Sequence, residues 1–202
     1  MRTRRERLRD LLKLSVTIGI VLFARASLAD HYVVPSESML PTIAVADRLL
    51  VNKLAFGLRV PFSDLYLLRF AGPERGEVVV LTSPEDGKVL VKRVAAIPGD
   101  RIEVAGGRLR VNGAPAEVAP CPGERDALCE ALGARRHRLR LDEGGGPDLG
   151  PLRVPEDHYL MLGDNRGNSH DGRAFGLIPR RALLGRAVSV FARGGRLTWQ
   201  PL

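Results

Sequence analysis

A chain of 202 residues is long enough for one substantial domain with a small insertion. Because 45% of its residues are hydrophobic and 27% are charged, most of it should fold around a core rather than stay disordered. Its net charge of +8 suggests nucleic-acid binding, but aromatic residues make up only 5% and no helix-turn-helix, zinc-finger or RNP-like motif occurs. We therefore expect no nucleic-acid partner.

The N-terminal part has the pattern of a membrane anchor. Several arginines within residues 1–10 precede an apolar stretch at 11–29, interrupted only by Lys13 and Arg25 near its two ends. A helix of this length reaches about 28 Å, which is close to the thickness of a bilayer's hydrocarbon core. Since the arginine cluster keeps the N-terminus cytoplasmic, we predict a transmembrane helix at 11–29 and an exported domain at 30–202.

A cleaved secretory signal peptide is the alternative for this segment. The uninterrupted apolar core at 14–24 is short, and the sequence Ser27-Leu28-Ala29 resembles a small-residue cleavage site. Both interpretations export residues 30–202, whereas a buried core helix is disfavoured by the flanking arginines.

The exported part has the pattern of a mainly β, antiparallel domain. Short runs rich in Val, Ile and Leu are punctuated by Gly, Pro, Asn and Asp, as in strands joined by turns. These runs lie at 47–56, 76–83, 88–97, 100–113, 157–164 and 185–192. Within the fourth run we predict a hairpin at 105–107 and a turn at 112–113.

Residues 115–155 differ in composition, being rich in Pro, Gly and charged residues. We interpret them as a loop-rich insertion, with a short helix at 126–132 and short strands around 138–141. The only cysteines, Cys121 and Cys129, lie here, and in an oxidising compartment they predict a disulfide. No histidine stands at ligand spacing beside them, so we expect no metal site.

Two serines lie just beyond the apolar segment, in VVPSESMLPT. Serine beside proline is common turn chemistry, so this stretch alone does not establish a site for Ser36 and Ser38. A serine nucleophile needs a base, and the histidines are poor candidates: His31 is too near the membrane segment and His137 lies in the arginine-rich insertion. His170 stands between a serine and an aspartate, but neighbours in sequence rarely converge as a triad, so we interpret it as a surface residue.

Lys92 is a better candidate for the base. In VLVKRV the strand period places it on the same face as Leu90 and Val94, with Arg93 on the opposite face. Apolar surroundings lower the pKa of a lysine, so that its neutral amine becomes accessible near neutral pH. An arginine side chain in the same place would stay protonated. The alternative is an edge-strand lysine whose amine reaches solvent.

Four segments behind the apolar stretch occur in a recognisable order: PSESMLPT, DRLLVNKLAFG, VLVKRVAAIPGD and GDNRGNSHDGR. Together they resemble the bacterial type I signal peptidases (leader peptidases), a family of serine–lysine membrane peptidases. The resemblance extends from about Arg25 to Phe191 and leaves the cysteine-containing insertion least matched. It implies an endopeptidase that removes signal peptides from exported preproteins after small residues, without a metal or organic cofactor.

The resemblance implies a role for each site residue. Ser38 would be the nucleophile, Lys92 the base, and the Ser36 hydroxyl would complete an oxyanion hole with the backbone N–H of Ser38. Ser169 would orient the lysine amine, and the loop behind it would be braced by Asp171 and Arg173. The shallow substrate pocket, for which simple core packing is the alternative, would be lined by Val34, Met39, Ile43 and Val91.

The implied partners are preprotein signal peptides and the lipid bilayer, with the secretion machinery nearby. The implied location is the inner (cytoplasmic) membrane, crossed once, with the catalytic domain on the outer (periplasmic) face. Two alternatives are a related serine–lysine peptidase dedicated to one secretion or conjugation substrate, and a non-catalytic β domain tethered to the membrane. Glu37, between the two serines, departs from the family pattern, and we expect it to affect substrate choice.

Overall fold

The structure, a computed structural model, describes residues 5, 9–17, 29–60, 63, 65–124 and 127–202. Residues 9–17 are helical and exposed. Within the described ranges, no helix combines the length and apolar character needed to cross a membrane. Most of the predicted transmembrane helix, at 18–28, lies outside the described residues, and Ala29, its predicted last residue, already begins a strand.

The described chain is mainly antiparallel β, as predicted. The strands are β1 (Ala29–Val33), β2 (Arg48–Asn52), β3 (Gly57–Arg59), β4 (Tyr66–Arg69), β5 (Val78–Thr82), β6 (Val89–Ala96), β7 (Arg101–Ala105), β8 (Arg108–Val111), β9 (Ala114–Pro115), β10 (Val118–Pro120), β11 (Leu128–Leu132), β12 (Arg135–Leu139), β13 (Leu149–Arg153), β14 (His158–Leu162), β15 (Ile178–Pro179), β16 (Leu183–Arg193) and β17 (Arg196–Pro201). Beyond the helical residues 9–17, the described helices are one α-helical turn, α1 (Gly172–Phe175), and 3-10 turns at Lys53–Phe56, Glu143–Gly145 and Arg180–Ala182.

One eight-stranded sheet carries the predicted motifs. Its order is β1-β2-β16-β5-β6-β14-β15, with β17 paired to β16, and neighbouring strands are antiparallel. Strand β5 is buried on both faces, because Val78 and Val80 join one core cluster while Val79 and Leu81 join another. Burying such side chains contributes roughly 1.5–3 kcal/mol each, so the strands around β6 form a rigid support.

The predicted hairpin is present in a second sheet, of order β13-β7-β8-β9. Strands β7 and β8 pair around Gly106 and Gly107. Strands β8 and β9 pair across the two-residue turn Asn112-Gly113, and both of these residues have positive φ, as such a tight turn requires.

The insertion is more regular than predicted. It contains the three-stranded sheet β10-β11-β12, and β13 pairs with β7. The helix predicted at 126–132 is wrong where the structure describes it, because Leu128–Leu132 is a strand paired on both sides. The alanine- and leucine-rich sequence favours a helix locally, but cross-strand pairing and burial override that preference.

Candidate active site

The turn between β1 and β2 carries the two candidate serines. Met39 and Ile43 are fully buried in the core, and the Ile43 backbone N–H donates to the Met39 carbonyl at 2.9 Å. These contacts fix the turn on the sheet. Ser38 is buried, and its Oγ lies 3.2 Å from the Ser36 Oγ. The two hydroxyls therefore face the same small region.

Strand β6 brings Lys92 to this turn. The residue is only 3% exposed, and its Nζ lies 2.6 Å from the Ser38 Oγ. Burial lowers the pKa of Lys92 to about 8, although Asp171 and Asp164 act in the opposite direction; Arg173 adds to the lowering. A neutral amine next to a hydroxyl is the arrangement that a serine nucleophile requires for activation.

A buried ion pair braces the loop behind the lysine. The Asp171 carboxylate accepts from Arg173 Nε and Nη2, both at 2.8 Å, and neither side chain is exposed. The same carboxylate accepts from the Gly163 N–H at 3.0 Å. Burial raises the pKa of Asp171, but the hydrogen bonds and charge of Arg173 outweigh it and hold this pKa below its usual value. The loop is thus fixed to the end of β14.

Gly163 lies between this loop and the nucleophile, and the sequence alone did not indicate its role. A Cβ at this position would lie 2.2 Å from the Ser169 Oγ and 2.4 Å from the Ser38 carbonyl oxygen. Glycine is therefore required for the close approach of the two segments. The Ser169 Oγ is buried and makes no well-aligned hydrogen bond in the described part of the chain, although Ser169 is close enough to Asp171 to help lower the pKa of that carboxyl. Its predicted bond to Lys92 is not formed here, so the orienting role of Ser169 stays a prediction.

A second buried ion pair joins the serine turn to the lysine strand, and it too was missed. Arg93, opposite Lys92 in the strand pattern, donates to Asp164 from Nε at 2.8 Å and from Nη2 at 2.7 Å. Thr42 Oγ1 donates to the same carboxylate at 2.6 Å, and the next backbone N–H, that of Asn165, donates to the Ser38 carbonyl. One aspartate therefore links three of the sequence motifs.

The insertion also reaches the site. Glu130 of β11 is fully buried and paired with Arg166. Burial raises the pKa of Glu130, but His137 and Arg166 outweigh it and hold this pKa below its usual value. Cys129, in the same strand, forms a disulfide with Cys121. The insertion is therefore packed against the candidate site by buried charges.

The four predicted pocket residues, at most 8% exposed, lie in one core cluster beneath the serine turn: Val34, Met39, Ile43 and Val91. Contact of these side chains with a substrate stays a prediction. His170 is exposed and its Nε2 lies 2.8 Å from Glu85 Oε2 on the β5–β6 turn. Glu37 is also exposed, and its carboxylate accepts from Asn168 Nδ2 at 3.4 Å.

Among the described residues, no group of three or more His, Cys, Asp or Glu side chains is placed to hold a metal ion.

Comparisons with known proteins identify the family. The family model described as signal peptidase, peptidase S26, matches residues 8–192. Signal peptidase I of Pseudomonas fluorescens is 35% identical over 85% of this chain and 68% of the relative. Signal peptidase I P of Bacillus subtilis subsp. natto is 34% identical over 87% of this chain and 84% of the relative. A crystal structure of a signal peptidase I from Enterococcus faecalis V583 matches 58% of this chain and 97% of that chain, with 25% identity and a TM-score of 0.39.

Proposed function

Because this chain belongs to the signal peptidase family, peptidase S26, and is a serine endopeptidase, we propose that it cleaves the signal peptides of exported preproteins with Ser38 as nucleophile and Lys92 as general base. The observation that carries this assignment is the 2.6 Å separation between Lys92 Nζ and Ser38 Oγ in a buried setting. No histidine is required, since a desolvated lysine provides the base.

The proposed reaction begins when the neutral Lys92 amine takes the proton of the Ser38 hydroxyl as Oγ attacks the scissile carbonyl. The resulting ammonium then gives that proton to the leaving amine, and the substrate's acyl group stays on Oγ as an ester. In the second half, the lysine amine deprotonates a water that attacks the ester carbonyl, the Ser38 Oγ–acyl bond breaks, and the Lys92 ammonium returns the proton to Ser38 Oγ. The pKa of about 8 suits both transfers, because the amine is available as a base and its conjugate acid can still donate.

An oxyanion hole is proposed at the serine turn. The Ser36 hydroxyl lies 3.2 Å from the Ser38 Oγ, and the backbone N–H of Ser38 is the second donor that the resemblance implies. Donors fixed in advance around the developing negative charge are a major source of transition-state stabilisation. We expect the loss of the Ser36 hydroxyl to lower kcat while KM changes little.

The open edge of β6 is the proposed docking site for the substrate backbone. Strand β14 pairs with β6 only between Arg93 and Ala96, so Val89–Lys92 has no partner strand on that side among the described residues. An extended peptide can add to such an edge as a further strand, while alternate side chains enter small pockets. This would place a peptide bond beside the lysine amine.

The proposal also places the protein in the membrane. The arginine-flanked apolar stretch at 11–29 would anchor it, with the catalytic domain on the outer face. Strand β1 begins at Ala29 and leads to the serine turn, so the site would lie near the membrane surface, where signal peptides emerge.

The test is digestion of purified preproteins by the full-length protein in detergent, alongside Ser38→Ala and Ser63→Ala variants. Ser63 lies outside the candidate site and controls for the loss of any one hydroxyl. We expect cleavage after small residues by the wild type and the control, and none by Ser38→Ala. Equal cleavage by Ser38→Ala would refute the assignment. Cleavage of only one preprotein from a diverse panel, with the others left intact, would instead indicate a dedicated peptidase.

A further inference from the structure

A buried histidine of the insertion lies between two carboxylates and, among the described residues, makes no well-aligned hydrogen bond to either. His137, on β12, has a side chain that is 3% exposed, and neither of its ring nitrogens has a hydrogen-bond partner in the described part of the chain. Its Nε2 lies 3.4 Å from Glu130 Oε2 and 3.7 Å from Asp164 Oδ1. The ring thus lies between one carboxylate of the insertion and one carboxylate of the candidate site.

Both carboxylates already have a cation. Glu130 is paired with Arg166 and Asp164 with Arg93, so His137 is not needed to neutralise an isolated buried charge. A buried imidazole is nevertheless unfavourable unless its polar atoms are used. The short movement that would bring Nε2–H onto the Asp164 carboxylate supplies such a use.

Asp164 is the point where a small change reaches the catalytic pair. Its carboxylate binds Arg93, the residue after the proposed base, and Thr42, four residues beyond the proposed nucleophile. Rotation of this carboxylate would therefore shift both elements. The insertion already holds the adjacent backbone, because the Arg140 N–H donates to the Asp164 carbonyl at 2.9 Å.

We propose that His137 is a positioning residue for the reaction: it reaches from the insertion to Asp164 and fixes the carboxylate that links the serine turn to the lysine strand. This rests on the proposed function. The proposal also gives the insertion a role, because the insertion would then help to position Ser38 and Lys92.

The charges around the ring give a direction for the pH dependence. Glu130 faces it from β11, Asp164 and Arg166 from the loop after β14, and Arg93 from β6 through its pair with Asp164. The negative charge of Asp164 raises the pKa of Lys92. A His137 N–H directed at the Asp164 carboxylate offsets part of its negative field at Lys92. Removing this N–H should therefore raise the pKa of Lys92 and move the onset of activity to higher pH.

The experiment compares three substitutions in the full-length protein in detergent, with a preprotein as substrate. His137→Gln keeps an N–H near the position of Nε2, His137→Asn carries its amide too far back to reach either carboxylate, and His137→Leu has no donor. The control is His158→Gln, a histidine of β14 whose Nδ1 contacts only the Glu156 carbonyl among the described residues. Urea unfolding followed by circular dichroism shows which variants are folded.

We expect His137→Asn and His137→Leu to lower kcat by about tenfold or more with KM little changed, because misplacement of reacting groups affects the chemical step. The midpoint of the rise of activity with pH should move upward by roughly 0.5 unit in both. His137→Gln and the control should stay close to wild type. If His137→Leu does not fold, the comparison of kcat and pH profile between His137→Asn and His137→Gln tests the proposal.

Equal kinetics and equal pH profiles for His137→Asn and His137→Gln would overturn the proposal, as would a uniform loss of activity at every pH. Failure of the proposed function looks different: the wild type would not cleave the preprotein, or Ser38→Ala would cleave it as well.

Discussion

Replacing Lys92 by methionine should stabilise the protein at neutral pH while abolishing its activity. Lowering the lysine pKa from 10.5 to about 8 corresponds to about 3 kcal/mol of unfavourable burial of the charged form. Methionine fills a similar volume without a charge, but it loses the contact with Ser38, for which about 1 kcal/mol is subtracted. The variant should therefore be more stable than wild type by roughly 2 kcal/mol at pH 7.

The sign of this effect depends on pH. Below pH 8 lysine is charged in both states, so the folded protein carries the whole penalty. Between pH 8 and 10.5 the folded protein holds a neutral amine while the unfolded chain is still protonated, so wild-type stability rises with pH. The advantage of Lys92→Met should be constant below pH 8 and should fall as the pH rises towards 10.5. Above that pH the variant should be less stable than wild type by about 1 kcal/mol, because only the lost contact with Ser38 remains.

Urea unfolding followed by circular dichroism at several pH values measures this difference, since other ionisable groups are common to both proteins. The control is Lys88→Met, which removes an exposed lysine whose pKa is raised by Asp86. It should show no such advantage at pH 7. An advantage of Lys92→Met that did not change with pH, or a variant less stable than wild type at pH 7, would refute the claim that Lys92 is desolvated.

Three further predictions concern activity. The value of kcat/KM should rise with pH to a plateau with a midpoint near 8, because Lys92 must lose its proton, and initial rates across pH 6–10 check this. Gly163→Ala should lower kcat by at least about tenfold because its Cβ collides with the nucleophile's carbonyl. The control is Gly150→Ala, whose Cβ meets no atom within 4 Å, and equal kcat values for the two variants would contradict the prediction. The double variant Cys121→Ser/Cys129→Ser should keep cleavage but lose about 2 kcal/mol of its free energy of unfolding, so that it unfolds at a lower urea concentration. A folded but inactive variant would instead give the disulfide a catalytic role.

Much of the fold could be predicted because its determinants are local. The Val- and Leu-rich runs at 76–83 and 88–97, bounded by turn residues, give β5 and β6, and Asn112-Gly113 gives a tight turn because both residues accept positive φ. The exception is Leu128–Leu132, where local preference favours a helix. Its strand state depends on β10 and β12, and this pairing is not encoded in the segment itself.

The family resemblance implied that Ser38 and Lys92 act together, and the structure places Lys92 Nζ 2.6 Å from Ser38 Oγ. The groups that hold them could not be predicted in the same way. Asp164 bonds to a residue 71 positions away and to another 122 positions away, and no local pattern marks such pairs. By sequence, His137 lies in the arginine-rich insertion and was not selected as a base. Its burial could not be predicted, because it depends on how the insertion folds back onto the sheet.

The most direct test of the Ser38–Lys92 dyad is single-turnover cleavage of a preprotein by Lys92→Arg, compared with wild type at matched folding. Arginine keeps the positive charge and much of the length, but its guanidinium cannot lose a proton at any working pH. We expect a loss of roughly 10³-fold or more in the rate of the chemical step. Cleavage within about tenfold of wild type would contradict it, because a residue that tolerates permanent charge is not the base.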